Sequence, residues 1–293
     1  MIRMLFEQVA KILERHNFDW CECRGCFDIA ARKRELVLVK VLDNVDSLQE
    51  SQAQNLITLS DKLDAAVSVV GTHTRYERLR DNIIYERFDV PTFTPNTLDS
   101  ILEDERPVLY RNKGGMFAEI DPAVLKRART RAGLTQQQLA EAVGVTKKSI
   151  YEHEARKMHA QYDVVTRIEK FLKESISVPF EPEPLESSTE IEPSAPFEKS
   201  VSRQLRRIGF ATSFVGQSPF NVIAEEKVLI VSDAEQNPLK IERKAEQLEQ
   251  FAGVSKKPMV VISEVEPRTN LPSITAAELE NLSAKSLRKL ARK

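Results

Sequence analysis

No stretch of the chain stays apolar over the roughly 20 residues that a membrane-spanning helix requires, so the sequence offers no bilayer span. Residues 1–18, MIRMLFEQVAKILERHNF, have the spacing of an amphipathic helix. They lack the short apolar core and small-residue cleavage site of a signal peptide. The cytoplasm is therefore the expected location, with no membrane partner. Cysteine is scarce: Cys21, Cys23 and Cys26 are the whole supply. An odd number makes a poor disulfide framework. The C-x-C-x-x-C spacing could hold a metal or sense redox state, but no second cluster exists and only His16 lies nearby. A structural role is expected, with neither metal nor cofactor. An excess of charge is missing too, since 43 Lys and Arg face 44 Asp and Glu for a net −1. The chain as a whole does not advertise a polyanion partner, so any basic surface must be local.

What is there is a globular composition, 30% charged and 41% hydrophobic over 293 residues. That length suits two or three domains with separate cores. Basic residues vanish between positions 175 and 198, where five prolines and six glutamates accumulate. Such a segment buries too little apolar surface to fold and reads as a disordered or extended acidic tether. A second reading is a polyanion mimic that competes for a basic patch.

The two ends of the chain resemble each other. FDIAARKRELVLVKVL at 27–42 parallels FNVIAEEKVLIVSDAE at 220–235. With a one-residue gap, Phe27 meets Phe220, Asp28 meets Asn221, and Leu36–Val39 meets Val228–Val231. Each half opens with a helical pattern. Each then continues through a Gln-rich helical stretch, an apolar strand (AAVSVVG, PMVVIS) and a closing Pro–Thr–helix segment. Short apolar runs alternating with helices predict a duplicated α/β domain, a sheet flanked by helices.

Between the halves, residues 121–174 read as four helices. Asp121 caps the first, with Pro122 at its first position. Thr135 and Gln138 form a capping box on the second, and Thr146 caps the third. Tyr162–Glu174 makes the fourth. Only GVT separates the second from the third, which is helix-turn-helix spacing. Leu139, Val145 and Ile150 are the expected shared core, extended by Leu134, Val143, Ile168 and Leu172. This segment holds eleven Lys and Arg against seven Asp and Glu. It is basic within a chain that is not.

GLTQQQLAEAVGVTKKSIYEHEARK resembles the DNA-binding domain of the Cro/lambda-repressor (XRE) family. The resemblance rests on Leu-Thr-Gln, Leu-Ala, Gly-Val, Ile and Glu in the family order. It implies that the third helix enters the major groove by its N-terminal part. By position, Gln136 would clamp a phosphate. Lys147, Lys148 and Glu152 would face the groove, with Thr146, the helix cap, counted among the DNA-binding residues. Ser149 and Tyr151 would touch the backbone or groove edge, and Arg156 and Lys157 would meet phosphates. Arg156 stands where the family often has glycine, so the turn there is expected to differ. Glu154 is expected to bond within the domain.

The flanking repeats resemble the restriction-endonuclease-like PD-(D/E)xK superfamily. There an Asp and a D/E-x-K triplet hold a divalent ion through hard oxygen ligands. Asp28 and Lys40 fit the first copy, but Leu38 stands at the second carboxylate. Glu35 is in the wrong strand phase to replace it. In the second copy Asn221, Ile230 and Ser232 fill the three places, so both copies are expected to be catalytically degenerate. The whole arrangement resembles a family of archaeal HTH-type transcriptional regulators.

The expected organisation is therefore an endonuclease-like α/β domain at 1–115 and a Cro/C1-type all-α helix-turn-helix domain at 116–174. An acidic linker at 175–197 and a second α/β domain at 198–293 follow. The expected function is a homodimeric, sequence-specific transcriptional regulator on double-stranded DNA, not an enzyme, whose flanking domains dimerise or meet a partner or effector. The alternatives are a metal-dependent nuclease using Asp28, Glu35 and Lys40, and a non-catalytic DNA-associated adaptor.

Overall fold

The structure, a computed structural model, describes residues 2–292 apart from 113, 194, 227, 228, 236, 267 and 268. It divides into two compact units. One comprises residues 1–71, 87–90 and 182–293, and the other 72–86 and 91–181. Among the described residues no helix is long and apolar enough to cross a membrane.

The first unit starts with α1 (Ile2–Arg15), whose Leu5, Val9, Ile12 and Leu13 recur at helical spacing and are buried. Strands β1 (Asp19–Glu22), β2 (Ile29–Arg32) and β3 (Leu36–Asn44) follow, then α2 (Glu50–Leu63) and β4 (Ala65–His73). They lie in the sheet order β1-β2-β3-β4. Strand β4 is buried on both faces from Ala65 to Gly71, which is why its sequence is a continuous apolar run rather than an alternating one.

The second unit holds β5 (Ile83–Arg87) and β6 (Val90–Phe93) apart from Arg87 and Val90, then α3 (Pro95–Leu102), β7 (Leu109–Asn112) and β8 (Gly115–Ile120). Then come α4 (Pro122–Arg131), α5 (Gln136–Val143), α6 (Lys147–Ala155), β9 (Met158–Gln161) and α7 (Tyr162–Leu172). The four helices stand where the caps put them. Asp121 accepts from Ala123 and Val124, Thr135 from Gln138, and Thr146 from Ser149. The strands around them were not legible in the sequence. β8 leads into α4 and pairs antiparallel with β9, which directly follows α6, so the central domain is not purely helical.

The first unit resumes with α8 (Pro196–Arg207), β10 (Ala211–Phe214), β11 (Val222–Glu225), β12 (Leu229–Ala234) and α9 (Pro238–Ser255). It closes with β13 (Met259–Ser263), β14 (Ser273–Thr275), α10 (Ala276–Leu279) and α11 (Ala284–Leu290). The strand order β10-β11-β12-β13-β14 repeats the succession of the first copy, so the α/β duplication stands.

The register of that duplication is corrected. Arg32 pairs with Leu36 and Ile29 with Val39, while Glu225 pairs with Leu229 and Val222 with Ser232. The two hairpins match residue for residue, with no gap. Ser232 therefore corresponds to Val39, and Asp233 takes the place of Lys40. Val231, not Ile230, takes that of Leu38. The gap was drawn to superpose apolar runs that are offset by one residue, and the paired backbones overrule it. Val228, part of that alignment, lies outside the described residues.

The two copies pack on each other within the unit. Helix α9 lies against β1 and β2, and Phe251 stacks between Phe27 and Phe220 at centroid distances of 5.9 and 4.9 Å. In the other direction Asn55 of α2 accepts the Gly216 N–H at 2.6 Å. The Cys26 N–H donates to the Gln217 carbonyl.

The acidic segment is extended but not free. Its first residues belong to the helical domain: Ile176 is buried, its carbonyl accepts from Asp121, and Val178 donates to Glu119. Within the first unit the Leu185 N–H donates to Ser60 Oγ at 2.8 Å, and Ser187 meets Thr58 at 3.3 Å.

Candidate nucleic-acid interface

Helix α6 is short, and its exposure is set by what its buried side holds. Ile150 is fully buried in a cluster with Leu125, Leu139, Ala140, Val143, Val165 and Ile168. Leu134, Val145 and Leu172 pack around it, partly buried. Ala140 is small where α5 crosses α6, and Gly144 ends α5 at φ 69, a left-handed turn that glycine adopts without strain. The core thus fixes α6 with Thr146, Lys147, Lys148, Tyr151, Arg156 and Lys157 exposed and Ser149 and Glu152 half-buried. Lys148 leaves 82% of its side chain in solvent, with only a 3.9 Å approach to Glu152.

Cations in the domain divide by role. Arg129 is consumed inside: it meets both oxygens of Glu154 at 2.5 and 3.0 Å and donates to the Leu134 carbonyl at 2.6 Å. Arg167 donates to the Val143 carbonyl at the end of α5, at 2.6 Å. Arg131 pairs with Glu174. The cations left in solvent include Lys147, Lys148 and Arg156, and Arg156 has no ion pair among the described residues. Lys157 is 71% exposed, with Glu119 3.6 Å away.

Glu154 bonds within the domain. Burial pushes its carboxyl up, but the bonds from Arg129 and Gln136 outweigh this and hold it below the ordinary value. The Gln136 amide donates to Glu154 Oε2 at 2.8 Å, so Gln136 is half-buried and anchored at the start of α5 rather than free.

In the first copy, Asp28 Oδ1 accepts from Lys40 Nζ at 3.0 Å and Oδ2 from the Val41 N–H at 2.7 Å. Lys40 also donates to the Gly25 carbonyl at 2.8 Å. Burial pushes the Asp28 carboxyl above its ordinary value, against the opposing pull of Lys40. In the second copy, Asn221 Oδ1 accepts the Ala234 N–H and its amide donates to the Ala234 carbonyl, both at 2.8 Å. The same strand bracket survives there with a neutral amide, which also donates to Glu198 Oε1 at 3.0 Å. Leu38 is fully buried, and Glu35 is exposed just before β3. Among the described residues no second carboxylate is hydrogen-bonded into this bracket, and the charge of Glu22 adds to the upward push on Asp28.

A PD-(D/E)XK superfamily domain matches residues 3–107, and a helix-turn-helix domain matches 125–178. A protein of Methanocaldococcus jannaschii is 28% identical over 96% of this chain and 93% of its own length. One from Thermococcus gammatolerans is 28% identical over 92% of each. One from Pyrococcus furiosus is 33% identical over 69% of this chain and 66% of its own. All three carry names that give them provisionally as HTH-type transcriptional regulatory proteins. The chain joins a PD-(D/E)XK domain to an XRE-type helix-turn-helix domain.

Within this helix-turn-helix protein, sequence reasoning missed His153. It lies on α6, 7% exposed, with no partner for Nδ1, and burial lowers its pKa. It is buried in the last turn of α6, where loss of solvent disfavours the charged ring. The three cysteines are free and buried, Cys21 and Cys23 with sulfurs 3.9 Å apart. Burial pushes the Cys26 thiol up to about 12, far from a reactive thiolate.

Proposed function

We propose that this protein is a sequence-specific transcriptional regulator that docks the N-terminal end of α6 in the major groove of double-stranded DNA. The supporting observation is the exposure of Lys147 and Lys148 at the start of a helix whose opposite side is locked by Ile150. In this reading Thr146, Lys147, Lys148 and Glu152 face base edges, with Ser149 and Tyr151 at the groove margin. Gln136, held by Glu154, meets a phosphate from the start of α5. Arg156 and Lys157 neutralise phosphates beyond the end of α6.

A homodimer would present two such helices to half-sites about one helical turn, roughly 34 Å, apart. The PD-(D/E)XK copies serve as a non-catalytic scaffold for dimerisation or for partner or effector contact. Selection of bound duplexes from a random pool, with the purified full chain, tests specificity and half-site symmetry together. Lys147→Ala with Lys148→Ala is expected to abolish the enriched motif. Enrichment of the same motif by the double variant rejects the docking.

A further inference from the structure

In the second PD-(D/E)XK copy, α8, α10 and α11 cover one face of the sheet. Val201 and Leu205 of α8, Leu279 of α10, and Leu287 and Ala291 at α11 share one apolar core with Phe214, Val222, Val260 and Ile262. Their helices are tied outside that core as well: Gln204 donates to Glu280 Oε1 at 3.1 Å, and Arg207 to the Glu280 carbonyl. This single layer therefore has one outer surface, and its charge is lopsided. Residues 196–207 and 276–292 contain eight Lys and Arg against three Glu, in a chain whose net charge is −1, and of the eight Arg288 is paired with Glu226 at 2.7 Å.

The cations follow the exposed face by helical spacing. Lys199, Arg203, Arg206 and Arg207 lie along α8, and Lys285, Lys289 and Arg292 along α11 and its end, all exposed. Among the described residues none of Lys199, Arg203, Lys285, Lys289 or Arg292 forms an ion pair. Of the three glutamates, Glu198 is turned to Ala195 and Asn221, and Glu278 caps α10. A monomeric scaffold gains nothing from unpaired like charges gathered on one face, where they repel.

We infer that this outer face is a second DNA-contacting surface, one that grips the phosphate backbone of the duplex without reading sequence. The inference rests on the docking of α6 proposed above. Its occupant is duplex DNA because the chemistry this face offers is a row of long, exposed cations, complementary to a phosphate backbone. Such contacts strengthen binding by releasing counterions, so each appears as a step in salt dependence.

The test compares full-length protein with a variant carrying Lys199→Gln, Arg203→Gln, Lys285→Gln and Lys289→Gln, and with Lys147→Ala/Lys148→Ala. Binding is measured over a salt series to a 40-base-pair duplex centred on the selected site. Each lost phosphate contact flattens the slope of log K against log salt by about 0.9. The fourfold variant is expected to lose about 3 to 4 from that slope and at least tenfold in affinity at low salt. It should still enrich the same motif, since it keeps the reading helix. Unchanged slope in the fourfold variant, with weakened binding by the Lys147/Lys148 variant, overturns the second surface and leaves the docking standing. The reverse pattern overturns the docking alone. A fourfold Lys/Arg exchange (Lys199→Arg, Arg203→Lys, Lys285→Arg, Lys289→Arg) must preserve the slope; a loss there shows a structural effect and overturns the proposal.

Discussion

Glu154 at the end of α6 and Arg129 in α4 form a two-pronged ion pair, with N–O distances of 2.5 and 3.0 Å and side chains 4% and 13% exposed. The pair joins the helix proposed to read DNA to the first helix of its domain, and the same carboxylate anchors Gln136. Replacing Glu154 by alanine leaves a guanidinium with little solvent and no counter-charge, a change that costs about 3–5 kcal/mol when a buried pair is broken from one side. Hydrogen exchange on the full chain should show α4, α5 and α6 losing protection while the flanking α/β domains keep theirs. Equal protection in all helices would refute the bracing role.

The pair also sets an acid limit. The Glu154 carboxyl is depressed in the folded state, so its contribution is complete above the ordinary Glu value near 4.5 and is lost as pH falls through the lower folded value. His153 acts in a higher window. Its folded pKa is lowered from 6.5 by burial, so the unfolded chain binds the extra proton first. Stability is full above about 6.5 and falls as the solution is acidified below it. Thermal unfolding between pH 8 and 5 should therefore show the helix-turn-helix weakening, and His153→Phe should flatten that slope. A profile unaltered by the substitution would assign the acid sensitivity elsewhere.

Arg156 and Lys157 follow α6, outside the motif's base-facing positions. Changing both to alanine should weaken all duplexes nearly equally and reduce the salt slope by about 1.8, or 0.9 for each phosphate contact. The selected motif should not change. A change in base preference would move these residues from the backbone into the groove.

Much of the helix-turn-helix was legible because each boundary is a local chemical event. Asp121, Thr135 and Thr146 cap through their own side chains, and Gly144 needs only its missing Cβ. The internal bond of Glu154 was legible too, though its partner was not: Arg129 lies 25 positions away and reads like any surface cation. The strands β8 and β9 were hidden because they are short and pair across an intervening helix-turn-helix, so no hairpin turn announces them. The duplication was visible in the order of elements, whereas its register was not. An apolar run such as VLIV aligns with LVLV at more than one offset, and only the backbone pairing of Val222 with Ser232 decides between them.

The bracket shared by the two copies carries the last prediction. Asp28 and Asn221 each hold the backbone N–H thirteen residues downstream, on Val41 and Ala234. The first copy adds Lys40, 8% exposed, whose one ion pair among the described residues is with Asp28 at 3.0 Å. Asp28→Asn keeps the bond to Val41, as the second copy does, but strands the ammonium, at a cost of about 3–5 kcal/mol. Adding Lys40→Met removes the stranded charge and restores volume, so the double variant should regain most of that loss in a urea titration of the full chain. If Asp28 and Lys40 instead served a nuclease, the unaltered protein would nick supercoiled DNA with Mg²⁺ or Mn²⁺ and the double variant, stable or not, would be inactive. A recovered stability with no nicking by either protein is the expected outcome, because the Asp28 carboxylate is already bonded to a lysine and a backbone N–H, and Leu38 stands where the resemblance calls for the second carboxylate.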